Sequence, residues 1–306
     1  MKIAIMGSGA VGAYVGARLQ AAGADITFIA RGAHLQAMQA NGLSIQMPNK
    51  DLLLPQVKAT SDPASIGNVD LVIFAVKLTD TVTAAQSMRP LVCDQTRVLT
   101  LQNGIDSVAM IAKELPQAKV RGGVIYVSAV IDKPGVIKSP GGFHRVVADR
   151  ANDDPVMREL GEWAAKSTAL DVALVDDIER IVWEKFMGLA AFSGATSLLR
   201  ARIGDIFSHP ESTAFLQQLI QESVAVAVAH GQSVRAGIAD EYMNTLRAAP
   251  PSFRSSMSED LERGKALELP WLSGRMHQLG LQLGVPTPAH TAVYRGLVLK
   301  AGGSVL

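Results

Sequence analysis

The chain has 306 residues, of which 48% are apolar and 19% charged, and a formal net charge of +1. That is enough for roughly two domains with a core each, and the absence of any arginine- or lysine-rich block leaves no electrostatic support for a nucleic-acid partner. The single cysteine, Cys93, excludes an intrachain disulfide and suits a reducing compartment.

The first apolar run, Ile3 to Met6, is too short for the core of a signal peptide. The longest later run, Val224 to Ala229, is far below the ~20 residues that span a bilayer. The expectation is a cytoplasmic protein with no membrane partner. In chain order, Lys2 to Met6 reads as a buried parallel strand, Ala10 to Ala22 as a helix closed by Gly23, and Ile26 to Ile29 as a second strand. Leu71 to Val76 and Arg97 to Leu101 repeat the strand pattern. Val120 to Ile131 is rich in β-branched residues, a strand signal ending near the Pro134-Gly135 turn, and Val136 to Ala148, with Pro140-Gly141-Gly142 inside it, reads as a hairpin. This alternation predicts an α/β fold with a doubly wound, Rossmann-type sheet. After about Val175 the helical period takes over, in Asp177 to Ala191, Glu211 to His230, Ile238 to Arg247 and Leu269 to Leu283. The reading is a dinucleotide-binding domain over 1–175 and an all-helical domain over 176–306. No flexible linker divides them, so a cleft between two packed domains is expected.

Gly7-Ser8-Gly9-Ala10-Val11-Gly12 fits G-x-G-x-x-G, between a predicted strand and a predicted helix. In that context Gly7 permits the tight turn, Gly9 the approach of a pyrophosphate, and Gly12 close helix–strand packing, while the helix N-terminus offers its N–H groups to the phosphates. The second strand ends Ile29-Ala30-Arg31, with no carboxylate for a ribose 2′-hydroxyl. A guanidinium suits a 2′-phosphate instead, which favours NADP(H) over NAD(H); an ordinary exposed strand-end arginine is the alternative.

Gly7 to Gly12, Ala30-Arg31, Gln102-Asn103-Gly104, Glu184-Lys185, Ser255-Ser256-Met257, Gly264 to Glu268 and Gly284-Val285-Pro286-Thr287-Pro288 occur in an order that resembles the ketopantoate reductases over nearly the whole chain. The resemblance implies reduction of 2-dehydropantoate to pantoate with NADPH, a step toward pantothenate and coenzyme A. By the same resemblance Lys185 is the catalytic lysine and Glu268 its partner carboxylate. Ser256 holds the substrate carboxylate, Asn103 lies at the nicotinamide edge, and Lys77 lines the cofactor side. The partners implied are a small-molecule 2-keto acid and the cofactor, with a homodimer left open.

The residues themselves agree in part. Lys185 lies in an otherwise apolar helix apart from Glu184; burying its ammonium is costly and lowers its pKa, which suits a group that polarises a ketone and protonates the alkoxide. It could equally reach to solvent. Glu268 before Pro270 also suits a helix N-terminal carboxylate, Ser256 a helix cap, Asn103-Gly104 a turn and Lys77 a solvated strand end. Four and eight residues after Lys185, where the family carries asparagines in the substrate pocket, this chain has Leu189 and Ser193. Pro270 and Ser273 depart from the family pattern as well, so a more apolar 2-keto acid competes with ketopantoate as substrate. The six histidines show no metal-ligand spacing and no metal site is expected. A non-catalytic NADP-binding sensor, and a different dehydrogenase with a helical second domain, are the rival functions.

Overall fold

The computed structural model describes residues 1–141, 144–167 and 169–303. They fall into two compact units, Met1–Ile178 and Glu179–Leu306.

In the first unit the strands are β1 (Lys2–Met6), β2 (Asp25–Ile29), β3 (Leu43–Gln46), β4 (Leu52–Leu54), β5 (Lys58–Thr60), β6 (Leu71–Phe74), β7 (Arg97–Thr100), β8 (Lys119–Val127), β9 (Val130–Lys133), β10 (Val136–Lys138), β11 (His144–Asp149) and β12 (Asp171–Val175). The helices are α1 (Ala10–Ala21), α2 (Gly32–Asn41), α3 (Thr81–Ser87), α4 (Ser107–Glu114) and α5 (Pro155–Lys166). Eight strands form one sheet in the order β12-β11-β8-β7-β6-β1-β2-β5. β5, β2, β1, β6, β7 and β8 run parallel, whereas β11 is antiparallel to β8. The chain enters at β1, winds outward to β2 and β5, then returns to β6 on the other side of β1. That reversal opens a crevice at the carboxyl ends of β1 and β6, where doubly wound sheets bind their ligands.

The unbroken apolar runs have a plain cause. Ile3 and Ile5 pack into one buried cluster with Tyr14, Phe28 and Leu35, while Ala4 and Met6 pack into another with Val72, Phe74 and Ile111. Alternate side chains of one strand feed the cores on opposite faces, so every position must be apolar.

Two expectations for this unit are corrected. The stretch Val120 to Ile131 is not one strand: β8 belongs to the large sheet, and β9 to a separate sheet of order β4-β3-β10-β9. Val136 to Ala148 is not a hairpin either, because β10 pairs with β3 and β9 while β11 pairs with β8 and β12. The turn falls earlier, at Pro134-Gly135 between β9 and β10, where Gly135 takes a φ of +78°. Gly142 lies outside the described residues. Turn-forming residues mark where a chain bends and say nothing about which strands then pair.

The second unit is helical: α6 (Ile178–Leu198), α7 (Ile203–Ser208), α8 (Pro210–Ala229), α9 (Ile238–Ala248), α10 (Ser256–Glu262), α11 (Ser273–Leu283) and α12 (Pro288–Leu297). The expected helix over Leu269 to Leu283 is broken: a 3-10 turn covers Leu269–Trp271, and Leu272, at φ −110° and ψ −103°, separates it from α11. Pro270 is accommodated in that turn, where no helical N–H is required of it. The buried Glu222 of α8 accepts the backbone N–H groups of Ala289 and His290 at 2.9 and 3.0 Å, so a side chain distant in sequence caps α12.

Candidate active site

The loop between β1 and α1 explains its glycines. Gly7 has a φ of +89°, and a Cβ there would stand 2.8 Å from the Val76 backbone nitrogen. A Cβ on Gly12 would run into the Gly7 carbonyl and lie 2.9 Å from Ile5 Cγ2 on β1. Gly9 differs, since nothing lies within 4 Å of a Cβ placed on it. The protein does not need a glycine there for its own packing, and the open space over Gly9 is room for something outside the chain. Ser8 is buried, its N–H donating to the Ile29 carbonyl at 2.9 Å, which ties the loop to the end of β2. No side chain caps α1, whose first residues are Ala10, Val11 and Gly12. Arg31 follows β2 as the extended N-cap residue of α2, and its side chain is exposed.

Across the crevice the loops after β6 and β7 are joined by a residue for which the sequence reading gave no role. Gln102 is only 8% exposed. Its amide nitrogen donates to the Val76 carbonyl at 3.0 Å and the Thr81 hydroxyl at 2.8 Å, and its amide oxygen accepts from the Thr100 hydroxyl at 3.3 Å. It thereby positions Lys77, exposed directly after Val76, and Asn103, half-buried before a Gly104 with φ +78°. The available signal was a polar side chain between a buried strand and an Asn-Gly turn, already present in the Gln102-Asn103-Gly104 motif.

In the helical unit Lys185 lies on α6, partly buried. Burial pushes its ammonium down to about 8 while the carboxylate of Glu268 acts in the opposite direction. The adjacent Glu184 is engaged elsewhere, accepting from Arg180 at 2.8 Å and Arg235 at 2.9 Å. Glu268 precedes the 3-10 turn without capping it. Ser256 is exposed at the start of α10, and the cap role falls to its neighbour Ser255. The Ser255 hydroxyl accepts from Ser258 N at 3.1 Å and lies 2.8 Å from the Thr196 hydroxyl on α6, leaving Ser256 free of the capping task. Leu189 is half-buried one turn beyond Lys185, whereas Ser193 is sealed at 1% exposure. Ser273 is buried outright, its hydroxyl facing the Ala190 carbonyl at 3.5 Å and His290 Nδ1 at 3.2 Å. It holds helices together and does not line an open surface.

A family model described as "Ketopantoate reductase PanE/ApbA" matches residues 3–152, and its C-terminal counterpart matches residues 177–301. The chain belongs to the ketopantoate reductase family. The chain is 28% identical to a 2-dehydropantoate 2-reductase of Mesorhizobium japonicum, over 99% of both chains. It is 30% identical to a PanE/ApbA family ketopantoate reductase structure from Ralstonia eutropha JMP134, with a TM-score of 0.91 and 98% of each chain covered. A D-mandelate dehydrogenase solved with NADH and anilino(oxo)acetate shares the fold at 21% identity and a TM-score of 0.88.

This member of the family is therefore an NADPH-dependent oxidoreductase. Its residues suit that cofactor. The open space over Gly9 and the uncapped start of α1 fit a pyrophosphate, and the exposed guanidinium after β2 fits a 2′-phosphate. No helix among the described residues is long and apolar enough to cross a membrane.

Proposed function

We propose that this chain reduces the carbonyl of a 2-keto acid to the 2-hydroxy acid, with 2-dehydropantoate as the first candidate. The observation that carries the reading is the Lys185–Glu268 pair: a desolvated ammonium at about 8 whose charge is supported by one carboxylate. NADPH supplies the hydride, which goes to the carbonyl carbon. Lys185 polarises the carbonyl oxygen and gives it a proton as the negative charge develops there, then recovers a proton from solvent. Glu268 keeps enough of Lys185 protonated near neutral pH for that step. The exposed Ser256 hydroxyl donates to the substrate carboxylate. In the first unit Gly7 to Gly12 cradle the pyrophosphate, Arg31 takes the 2′-phosphate, and Lys77 and Asn103 stand along the nicotinamide side. Both Lys185 and Glu268 would be superfluous in a non-catalytic sensor.

The half-buried Leu189 favours a second reading of the substrate. It offers no hydrogen bond, and Ser193 is sealed, so neither residue serves a substrate hydroxyl as an exposed asparagine would. A hydroxyl left unmatched in a desolvated pocket costs about 1–3 kcal/mol. A more apolar 2-keto acid loses nothing there. NADPH oxidation followed at 340 nm with a panel of 2-keto acids tests the activity, and turnover of none of them would overturn it. The decisive comparison within the panel is kcat/KM for ketopantoate against its analogue lacking the 4-hydroxyl. The expected ratio is near one, and Leu189→Asn shifts it toward ketopantoate. A strong preference for the hydroxylated substrate that Leu189→Asn leaves unchanged would refute the apolar reading.

A further inference from the structure

His34 stands in the first turn of α2, three residues after Arg31 and half-buried. Its Nδ1 accepts the backbone N–H of Gly135 at 3.1 Å, in the tight turn between β9 and β10. A ring nitrogen that accepts carries no proton, so in the neutral imidazole the proton sits on Nε2. That Nε2 is buried and, among the described residues, has no hydrogen-bond partner. A buried donor without an acceptor costs about as much as a lost hydrogen bond, and native structures rarely leave one so without a use. Burial holds the ring below the ordinary histidine range, and the backbone of Ser8 in the glycine loop acts against that shift, which places a Ser8 backbone acceptor on the side of the unanswered donor. Ser8 is in turn fastened through its own N–H to Ile29, at the end of the strand that leads into α2.

We propose that His34 is a positioning residue for the dinucleotide loop. The Gly135 N–H fixes the tautomer, and the Nε2–H takes the Ser8 carbonyl when the loop tightens on the cofactor's pyrophosphate. The β9–β10 turn is thus coupled to cofactor binding, although it holds none of the residues that touch the cofactor. The coupling acts on the pyrophosphate, which NADPH and NADH share, and not on the 2′-phosphate that Arg31 recognises. The inference rests on the Gly7–Gly12 loop being the pyrophosphate cradle.

The test is fluorescence titration of the full-length chain with NADPH and NADH. His34→Asn keeps an acceptor near the Nδ1 position for Gly135 but has no donor that reaches Ser8. His34→Gln places an amide N–H near the position of Nε2. The Asn variant weakens both nucleotides by the same factor, about threefold to tenfold for one neutral hydrogen bond, and the Gln variant recovers part of the loss. Equal thermal midpoints of the two variants without nucleotide separate this effect from general destabilisation. Amide hydrogen exchange supplies the second readout: NADPH slows exchange at Gly135 in the parent chain and not in His34→Asn. Unchanged affinity in His34→Asn, or a loss confined to NADPH, overturns the proposal. Gly9→Val, which fills the space over the loop, abolishes binding of both nucleotides. If it does not, the cradle assignment fails and the role of His34 falls with it.

Discussion

At the scale of single residues, charge and desolvation decide the chemistry. Lys185 is held down to about 8 by burial, against the pull of Glu268. In the proposed mechanism the protonated form is the proton donor, so the rate of carbonyl reduction should be steady below that value and fall as pH rises through it. Glu268→Gln removes the negative charge that raises the pKa, so the fall begins at lower pH. A pH profile of kcat for the two proteins checks both the position and the direction of the shift. Lys185→Ala should lower kcat by about 10²- to 10⁴-fold, the usual worth of a general acid, with NADPH titration little changed. Full turnover in that variant would remove Lys185 from the mechanism. In the same proposal Arg31 acts on cofactor choice alone. Arg31→Ala should cost NADPH roughly 1.5–3 kcal/mol, the worth of a hydrogen bond to a charged group, and leave NADH affinity as it was. Lys185 and Arg31 stand out as candidates in the sequence because each breaks a local rule: a lysine within an apolar helix, and a cation where an acid is usual. The sequence shows a hydroxyl at Ser273 but not the Ala190 carbonyl and the histidine it packs against.

At the scale of elements, the site depends on how loops at adjacent strand ends are held to one another. Gln102 satisfies Val76 and Thr81 at once from the end of β7. Gln102→Ala leaves a half-buried carbonyl and a buried hydroxyl short of a donor, at about 1–3 kcal/mol. A lower urea midpoint with unchanged m-value measures that loss, and it should be accompanied by a raised KM for NADPH as Lys77 and Asn103 lose their common anchor. A variant with parent-like stability and KM would show that the loops hold themselves. Local pattern found β1, α1, β2, β6 and β7 because each buries both faces or one clean stripe. It missed β3, β4, β5 and β12, which are short or only partly buried, and it joined β8 to β9 because β-branched residues run through both.

At the scale of the whole molecule, stability rests on cores that contain a few buried polar groups. His290 lies fully buried between α8 and α11, its Nε2 2.8 Å from the Ser223 hydroxyl and its Nδ1 3.2 Å from that of Ser273. Burial pushes its pKa from 6.5 down to about 4. The unfolded chain therefore binds the proton more readily than the folded one between those values. The stabilisation is complete above about 6.5 and is lost as pH falls toward 4. Thermal midpoints of the parent and His290→Gln should differ most at pH 7 and converge as pH falls to 4.5; a gap that widens with acid would contradict the assignment. By itself the sequence determined the fold class, the glycine loop and the NADP(H) preference, because these depend on periodicity, backbone freedom and charge within a few residues; Glu268 is a candidate partner of Lys185 only through the family resemblance, since the two lie far apart in the chain. Only the tertiary structure decided the pairing of β8 to β11, the separate sheet of β9 and β10, the burial of Ser193 and Ser273, and the links from Gln102 to Val76 and from His34 to Gly135. Those depend on which surfaces meet after the chain has closed long loops, and no local property of the sequence encodes the partner.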